Sequence, residues 1–227
     1  MIKLGVGMLI DLHTHTRDGS PCAYMEPSAL VQRAKRIGLD GVCITEHNQP
    51  WDRRAIEALR KAHDFLVIGG IEVTTNLGEV LVFGVHQSVI NVWEAEELKE
   101  MADEAGGVMI AAHPFRGQIG PGSSVYLSPP LTVETASQRP VFQMVDAIEV
   151  YNGRSGPEEL NFARAVSERL NLKGAGGSDA HNVASVGWCI TIFENRITSE
   201  EELIAEIRAG RFRGANGLSQ ELLRLSI

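Results

Sequence analysis

The stretch IDLHTHTRDGSPC, residues 10–22, decides how the rest of the chain is interpreted. An apolar run at residues 8–10 leads directly into two histidines, His13 and His15, that are separated by one residue. Side chains at i and i+2 of a strand point to the same side, so these two imidazoles should project together from a strand end. Two imidazoles placed in this way provide half of a typical zinc site.

Histidines and carboxylates recur at the ends of the later apolar runs. These polar residues are Glu46, His47, Glu72, His86, His113, Glu149, Asn152, Arg154, Asp179 and His181. Because the carboxyl ends of parallel strands meet at one face of an α/β fold, we expect these side chains to gather in one cup. Their nitrogen and oxygen donors suit Zn²⁺, Mn²⁺ or Fe²⁺. Glu72 supports this expectation, because a carboxylate inside an apolar strand is costly unless it is paired or binds a cation.

Apolar runs rich in β-branched residues alternate with helical patterns along the chain. The predicted strands are residues 7–12, 40–45, 66–73, 79–85, 107–112, 145–150, 173–176 and 187–193. The predicted helices are residues 27–37, 51–63, 93–105, 157–170 and 199–209. This order predicts an α/β fold with mainly parallel strands. Residues 116–130, rich in Gly, Ser and Pro, are predicted to form a long loop of the kind that often covers a binding site.

Length and composition limit the class of protein. The 227 residues fit one domain spanning 1–227, and a net charge of −8 argues against a protein that coats nucleic acid by bulk electrostatics. The three cysteines are far apart, which disfavours a disulfide framework and favours a reducing compartment. The first residues lack the pattern of a signal peptide, and no apolar run is long enough to span a membrane. We therefore expect a cytoplasmic protein.

Five short motifs occur in a fixed order: DLHTHT (11–16), ITEHN (44–48), GIEVTT (70–75), AAHPF (111–115) and GGSDAH (176–181). This series resembles the PHP family, the polymerase and histidinol phosphatase domain. The resemblance implies a distorted, TIM-like (β/α)7 barrel with two or three divalent metal ions at the C-terminal mouth of its strands. It also implies a phosphoesterase that works through a metal-activated water.

The resemblance assigns metal ligands position by position. The ligands of the first metal would be His13, His15, Glu72 and Asp179. Those of the second would be the bridging Glu72, His113 and His86, and those of the third His47 and His181, with Asp18 as a further candidate. Glu72, Asp179 and His181 would carry the catalysis. The family usually has an aspartate where this chain has Glu46, which is either a group that supports a ligand or a solvated loop acid.

Substrate contacts are expected just beyond the strand ends. Arg116 and Arg154 each follow such an end by a few residues, and a guanidinium binds phosphate through two parallel hydrogen bonds. Asn152 could donate to the substrate or orient a ligand. The substrate is expected to be a small phosphorylated compound or the end of a nucleic acid, and Tyr126 in the loop is a candidate for stacking on a base.

Two other classes of function remain open. An amidohydrolase-like enzyme would use the same activated water on a C–N bond, and a regulatory module would bind metal without catalysis. Whether the chain is a monomer or a homo-oligomer is also open. The tail 211–227 carries an apolar stripe, Leu218, Leu222 and Leu225, that could pack on the barrel or on a second subunit.

Overall fold

A computed structural model describes residues 7–120 and 130–217. Its strands are β1 Met8–Thr14, β2 Gly41–His47, β3 Leu66–Thr75, β4 Gly78–Phe83, β5 Val108–Ala111, β6 Ala147–Asn152, β7 Lys173–Gly177, β8 Cys189–Phe193 and β9 Phe212–Asn216. Its helices are α1 Pro27–Arg36, α2 Arg53–His63, α3 Ala95–Glu104, α4 Val133–Ala136, α5 Pro157–Leu170 and α6 Glu200–Arg208. The eight predicted strands and five predicted helices all correspond to observed elements.

The described strands form one mixed sheet in the order β7-β6-β5-β4-β3-β2-β1-β8-β9. Strands β1, β2 and β3 are parallel to one another, as are β5, β6 and β7. The sheet is nearly closed as a barrel, because Thr14 at the end of β1 forms a parallel bridge with Ala180, just beyond β7. The predicted TIM-like α/β class is therefore confirmed, although the count of seven βα units is not.

Strand β4 departs from the expected parallel order. It pairs antiparallel with both β3 and β5, and a tight turn at residues 76–77 joins it to β3 where a βα unit would have a helix. Gly78 has φ +117°, a backbone conformation that residues with a Cβ rarely adopt. The first residues of β4 therefore lie beside the carboxyl end of β3. The last residues of β4 lie at the opposite end of the barrel.

The outer helices pack apolar side chains against this sheet. Helix α1 begins with Pro27, which suits a first helical turn, and buries Leu30, Val31 and Ala34. The strands bury residues on both faces, as expected for a sheet covered by helices outside and filled by side chains inside. This packing fixes the strand ends, and hence the side chains that follow them.

Two predicted segments are only partly described. Residues 121–129 of the predicted loop, with Tyr126, lie outside the described residues. The tail residues 218–227, with the stripe Leu218, Leu222 and Leu225, lie outside them as well. The preceding part of the tail forms β9, antiparallel to β8, a strand that the sequence analysis did not predict. None of the helices among the described residues is both long enough and apolar enough to cross a membrane.

Candidate metal centre

The carboxyl ends of β1 and β7 are joined by backbone hydrogen bonds at the mouth of the sheet. The amide of Asp179 donates to the carbonyl of His13 at 2.8 Å, and the amide of His15 donates to the carbonyl of Ala180 at 2.9 Å. This pairing brings the two motifs DLHTHT and GGSDAH together. The rings of His13 and His15 are fully buried, and their Nε2 atoms lie 3.0 Å apart.

Glu72, from β3, lies at the centre of the cluster. Its Oε1 atom is 2.9 Å from His113 Nε2 and 3.3 Å from His13 Nε2. Its Oε2 atom is 3.0 Å from His47 Nδ1 and 3.3 Å from His15 Nε2. A single buried carboxylate thus contacts four imidazoles with its two oxygens, which is the geometry expected of a group that bridges two cations.

Asp179 forms the second carboxylate of the cluster. Its Oδ1 atom lies 3.5 Å from His15 Nε2 and 3.4 Å from His181 Nδ1, and its Oδ2 atom lies 3.9 Å from His113 Nε2. The donors form four overlapping groups whose ligand atoms lie within 4.8 Å of one another. These groups are His13–His15–Glu72, His13–His113–Asp179, His15–His47–His181 and His47–Glu72–Glu79.

The pKa values of the two histidines at the end of β1 shift in opposite directions. Burial lowers the pKa of His13, but the carboxylates of Glu72, Glu149 and Asp179 outweigh burial and hold that pKa well above its usual value. Burial lowers the pKa of His15 to about 4, so this imidazole is neutral at neutral pH. Burial raises the pKa of Glu72, yet the contacting histidines, His13 first, hold it well below its usual value.

A second layer of polar groups orients these ligands. Glu149 of β6 accepts a hydrogen bond from His13 Nδ1 at 3.1 Å and one from the backbone amide of His113 at 2.9 Å. The side-chain amide of Asn152 donates to the same carboxylate at 2.9 Å. The contact with Glu149 holds one proton of His13 on Nδ1, so that Nε2 is the ring atom that faces the cluster. Partners of this kind typically fix the orientation of metal-binding histidines.

The backbone is strained at two of the cluster residues. His113 has φ +27° and Asp179 has φ +52°, both in the left-handed region that residues with a Cβ rarely adopt. Such strain costs on the order of 1–3 kcal/mol and persists where the surrounding structure enforces it, commonly at functional sites. Here both residues follow their strands by two positions and direct their side chains into the cluster.

The two predicted substrate arginines lie beside Asp179. Arg116 donates to the Asp179 carboxylate and, at 2.6 Å, to Asn152 Oδ1. Arg154 Nη1 lies 3.8 Å from Asp179 Oδ1 and 3.2 Å from His181 Nδ1, and about half of its side chain is exposed. Arg116 Nε is a buried nitrogen with no hydrogen-bond partner among the described residues. These groups therefore leave cationic donors at the rim of the cluster.

Comparison with known proteins identifies the family. A model of the family described as PHP-associated matches residues 157–212. An uncharacterized protein of Methanocaldococcus jannaschii is 30% identical over 117 residues, which cover 48% of this chain and 68% of that protein. A solved two-domain protein of Bacteroides vulgatus is described as containing a predicted PHP-like metal-dependent phosphoesterase. It matches with a TM-score of 0.68 and 19% identity, over 96% of this chain and 68% of that chain.

The chain belongs to the PHP family. The predicted resemblance is thus confirmed. An amidohydrolase of Chromobacterium violaceum, solved with bound sulfate and no metal, is also similar, with a TM-score of 0.59 and 14% identity over 93% of this chain and 99% of that chain. At such identities the solved structures show that the PHP chain shares their fold.

Seven of the nine predicted metal ligands come together in this PHP protein. They are His13, His15, His47, Glu72, His113, Asp179 and His181. All seven lie in the carboxyl-terminal half of a strand or follow its end within a few residues, and their contacts show that these strand ends converge. The remaining two, His86 and Asp18, are corrected by the structure.

His86 lies away from the cluster. Its Nε2 atom pairs with Glu200 at 3.0 Å, and it lines a groove of about 600 Å³ bounded by α2, β3 and the start of α6. The reason is the direction of β4, because this strand is antiparallel to its neighbours and its carboxyl end faces the opposite edge of the sheet. The prediction assumed that β4 is parallel to its neighbours, and so placed His86 at the end of the barrel that holds the cluster.

Glu79 occupies the place at the cluster that was predicted for His86. It is the second residue of β4, beside the carboxyl end of β3, and its Oε2 atom lies 3.7 Å from His113 Nε2. It also forms one of the four donor groups, with His47 and Glu72. The sequence signal for this residue is the short segment 76–78, NLG, whose asparagine and glycine indicate a hairpin turn and therefore a reversal of the strand.

Asp18 also lies outside the cluster. Half of its side chain is exposed, and it contacts the neighbouring Arg17 at 3.7 Å. The acid buried on this side is Glu46, whose carboxylate accepts a hydrogen bond from the backbone amide of Thr16 at 3.1 Å. Of the two interpretations of Glu46 left open by the sequence, the buried supporting group fits the structure and the solvated loop acid does not.

Proposed function

We propose that this PHP protein is a metal-dependent phosphoesterase. The observation that carries the proposal is the contact of one buried carboxylate, Glu72, with His13, His15, His47 and His113. A histidine cluster of this kind is costly to bury for stability alone, because its charges must be desolvated. Cation binding would explain why the cluster is buried. Ionisable groups with perturbed pKa values that lie together at one site are typical of active sites.

The donor set fits two or three divalent ions. Imidazole nitrogens with carboxylate oxygens, and no thiolate among the clustered residues, suit Zn²⁺, Mn²⁺ or Fe²⁺. We propose that His13, His15, Glu72 and Asp179 hold one ion, and that Glu72, Glu79 and His113 hold a second. His47 and His181 would hold a third.

The bound cations would supply Lewis acidity, making a water acidic near neutral pH and offsetting the charge on a phosphoryl group. The side chains of the protein would position these cations and the groups around them. Glu72 would keep two cation positions close together, and Asp179 would join the cations to the rim through Arg116. His181, whose Nδ1 lies 3.0 Å from the Asp179 carbonyl, would present Nε2 to the site, where Arg154 Nη1 lies 3.4 Å from it.

Substrate binding is proposed for the rim. Arg154 has an exposed guanidinium next to His181, and the partly exposed guanidinium of Arg116 lies beside Asp179, so the two can contact non-bridging phosphate oxygens. Asn152 would hold Arg116 in position through the 2.6 Å hydrogen bond. The proposed substrate is a small phosphomonoester, a nucleotide or the phosphate of an oligonucleotide end.

An assay of released phosphate tests the proposal. The protein loaded with Zn²⁺, Mn²⁺ or Fe²⁺ would be offered phosphomonoesters, nucleotides and short oligonucleotides, alongside a panel of amides and cyclic ureides. Phosphate release that is abolished by a chelator and restored by metal is the expected result. Hydrolysis of C–N substrates alone would favour the amidohydrolase alternative that the C. violaceum fold raises. Metal binding with no turnover on either panel would favour the regulatory module.

A further inference from the structure

Glu46 is a buried acid that is absent from the four donor groups of the cluster. Its carboxylate is fully buried and accepts from four donors. They are the Thr16 amide at 3.1 Å, the Thr16 hydroxyl at 2.6 Å, the Ser20 hydroxyl at 2.5 Å and Trp51 Nε1 at 2.9 Å. Because an ionised carboxylate only accepts hydrogen bonds, four donors around one group indicate the ionised form.

Ser20 connects this carboxylate to the metal centre. Its Oγ atom lies 2.5 Å from Glu46 Oε2, 3.3 Å from the His47 amide and 3.2 Å from His15 Nδ1. A serine hydroxyl has one proton and two lone pairs. The proton must lie toward Glu46, because a carboxylate has none to give. The two lone pairs of Ser20 are then left for the His47 amide and for His15 Nδ1.

We propose that Glu46 and Ser20 are positioning residues that fix the tautomer of His15. With Ser20 as an acceptor, His15 must carry its proton on Nδ1, so that Nε2 presents a lone pair to the cluster. That atom lies 3.3 Å from Glu72 Oε2 and 3.5 Å from Asp179 Oδ1. The inference rests on the proposed function, because a free Nε2 matters only if the site binds metal.

The neighbouring histidine, His13, contacts a buried carboxylate directly. His13 Nδ1 lies 3.1 Å from Glu149 Oε1, so a carboxylate acts on it directly. For His15 the carboxylate acts through one hydroxyl. Outer partners of this kind commonly raise metal affinity by 10- to 100-fold. Each of the two buried imidazoles at the carboxyl end of β1 is therefore linked to its own buried acid.

Substitution of Glu46 by Gln separates this arrangement from simple packing. A glutamine amide has nearly the shape of the carboxylate but can donate to Ser20 Oγ. The serine proton is then free to point at His15 Nδ1, which moves the imidazole proton to Nε2. Trp51→Phe is the matched control, because it removes a donor to Glu46 Oε1 and leaves the Oε2–Ser20 contact in place.

The experiment reads the tautomer directly. Long-range ¹H–¹⁵N correlation spectra of the labelled protein, with the His15 signals assigned by their loss in His15→Gln, should show Nδ1–H in the wild type and in Trp51→Phe. Glu46→Gln should show Nε2–H. Competition with a chelator should give a Zn²⁺ affinity reduced about 10- to 100-fold in Glu46→Gln, and unchanged in Trp51→Phe.

Ser20→Ala provides a second variant in case Glu46→Gln does not fold, as judged by amide dispersion. It should lower Zn²⁺ affinity by a similar factor, because His15 Nδ1–H loses its acceptor. An Nε2–H tautomer in the wild type, or Zn²⁺ affinity unchanged in both folded variants, would overturn the inference. The tautomer is measured without substrate, so a protein that proved inactive on phosphoesters would refute the proposed function and leave this result intact.

Discussion

The Nε2 atoms of His13 and His15 lie 3.0 Å apart in a fully buried cluster. The Nδ1 atom of each ring already has a polar partner, Glu149 for His13 and Ser20 for His15. The two Nε2 atoms therefore face each other and the carboxylate of Glu72, an arrangement that requires a shared proton or a cation. This relationship is the physical basis of the proposed metal centre.

Glu79 and His86, at opposite ends of β4, give a matched pair of variants. Glu79→Gln removes a carboxylate 3.7 Å from His113 Nε2, so we expect the number of bound divalent ions per chain to fall by about one and turnover to fall at least about 100-fold. His86→Ala should leave the metal content unchanged, because His86 pairs with Glu200 at the other edge. Elemental analysis of both purified variants checks this, and metal loss from His86→Ala alone would reverse the assignment.

Much of the site was predictable from the sequence, because histidines and acids follow apolar runs whose ends must converge if the strands are parallel. His13, His47, Glu72 and Asp179 were all placed on this argument. The same argument failed for His86, since strand direction depends on a hairpin turn and not on the apolar pattern. Position along the chain could not place Asp18 either, because its side chain turns to solvent beside Arg17.

Strand β9 was missed for a related reason. Residues 212–216, FRGAN, carry only two buried side chains, Phe212 and Ala215, which is too weak a pattern to predict a strand. Pairing with β8 decides its conformation, and this contact is visible only in three dimensions. The network around Glu46 was also hidden, because Ser20 and Thr16 belong to a loop whose hydrogen bonds cannot be derived from spacing.

Arg154 should bind the phosphoryl group of the substrate. We expect Arg154→Ala to weaken inhibition by inorganic phosphate by roughly 10- to 150-fold, the value of one charged hydrogen bond of about 1.5–3 kcal/mol. Metal content should not change. Arg164→Ala is the control, because Arg164 donates to the Tyr151 hydroxyl from helix α5. Inhibition constants for phosphate within twofold of the wild type would remove Arg154 from the binding site.

Gly177 allows β7 to approach β1 at the cluster. A Cβ at this position would lie 2.4 Å from His13 Cβ and 2.8 Å from Glu149 Oε1, so Gly177→Ala must displace His13. We expect a loss of about 1–3 kcal/mol in the free energy of unfolding, together with weaker Zn²⁺ binding. Gly69→Ala, whose Cβ would make an ordinary 3.4 Å contact with Ile56, should change neither by more than a small amount. Equal effects of the two substitutions in urea unfolding and zinc titration would contradict this role.

Glu206 links α6 to the segment that leads into β9 and should make stability depend on pH. Hydrogen bonds from Arg211, at 2.7 and 2.9 Å, lower the pKa of Glu206. A carboxyl whose pKa is lower in the folded state stabilises the fold above its unfolded pKa of about 4.3, and this contribution is lost as the pH falls through the folded pKa. Glu206→Gln should therefore lower the urea midpoint at pH 7, and its difference from the wild type should shrink below about pH 4.

Glu168→Gln on the exposed side of α5 serves as the control for removing one negative charge. A Glu206→Gln effect that is constant from pH 7 to pH 3, or that is matched by Glu168→Gln at every pH, would show that the Arg211 contact does not carry the dependence.

Anomalous diffraction from crystals soaked in Mn²⁺ and phosphate would locate the metal ions themselves. We expect two or three peaks inside the cluster, with Glu72 bridging two of them, with Glu79 rather than His86 among the ligands, and with phosphate between the metals and Arg154. Peaks should be missing or reduced to one in Glu72→Gln. Crystals of the wild type with no anomalous peak within bonding distance of Glu72, or with the metal bound at His86 and Glu200, would contradict the proposed metal centre.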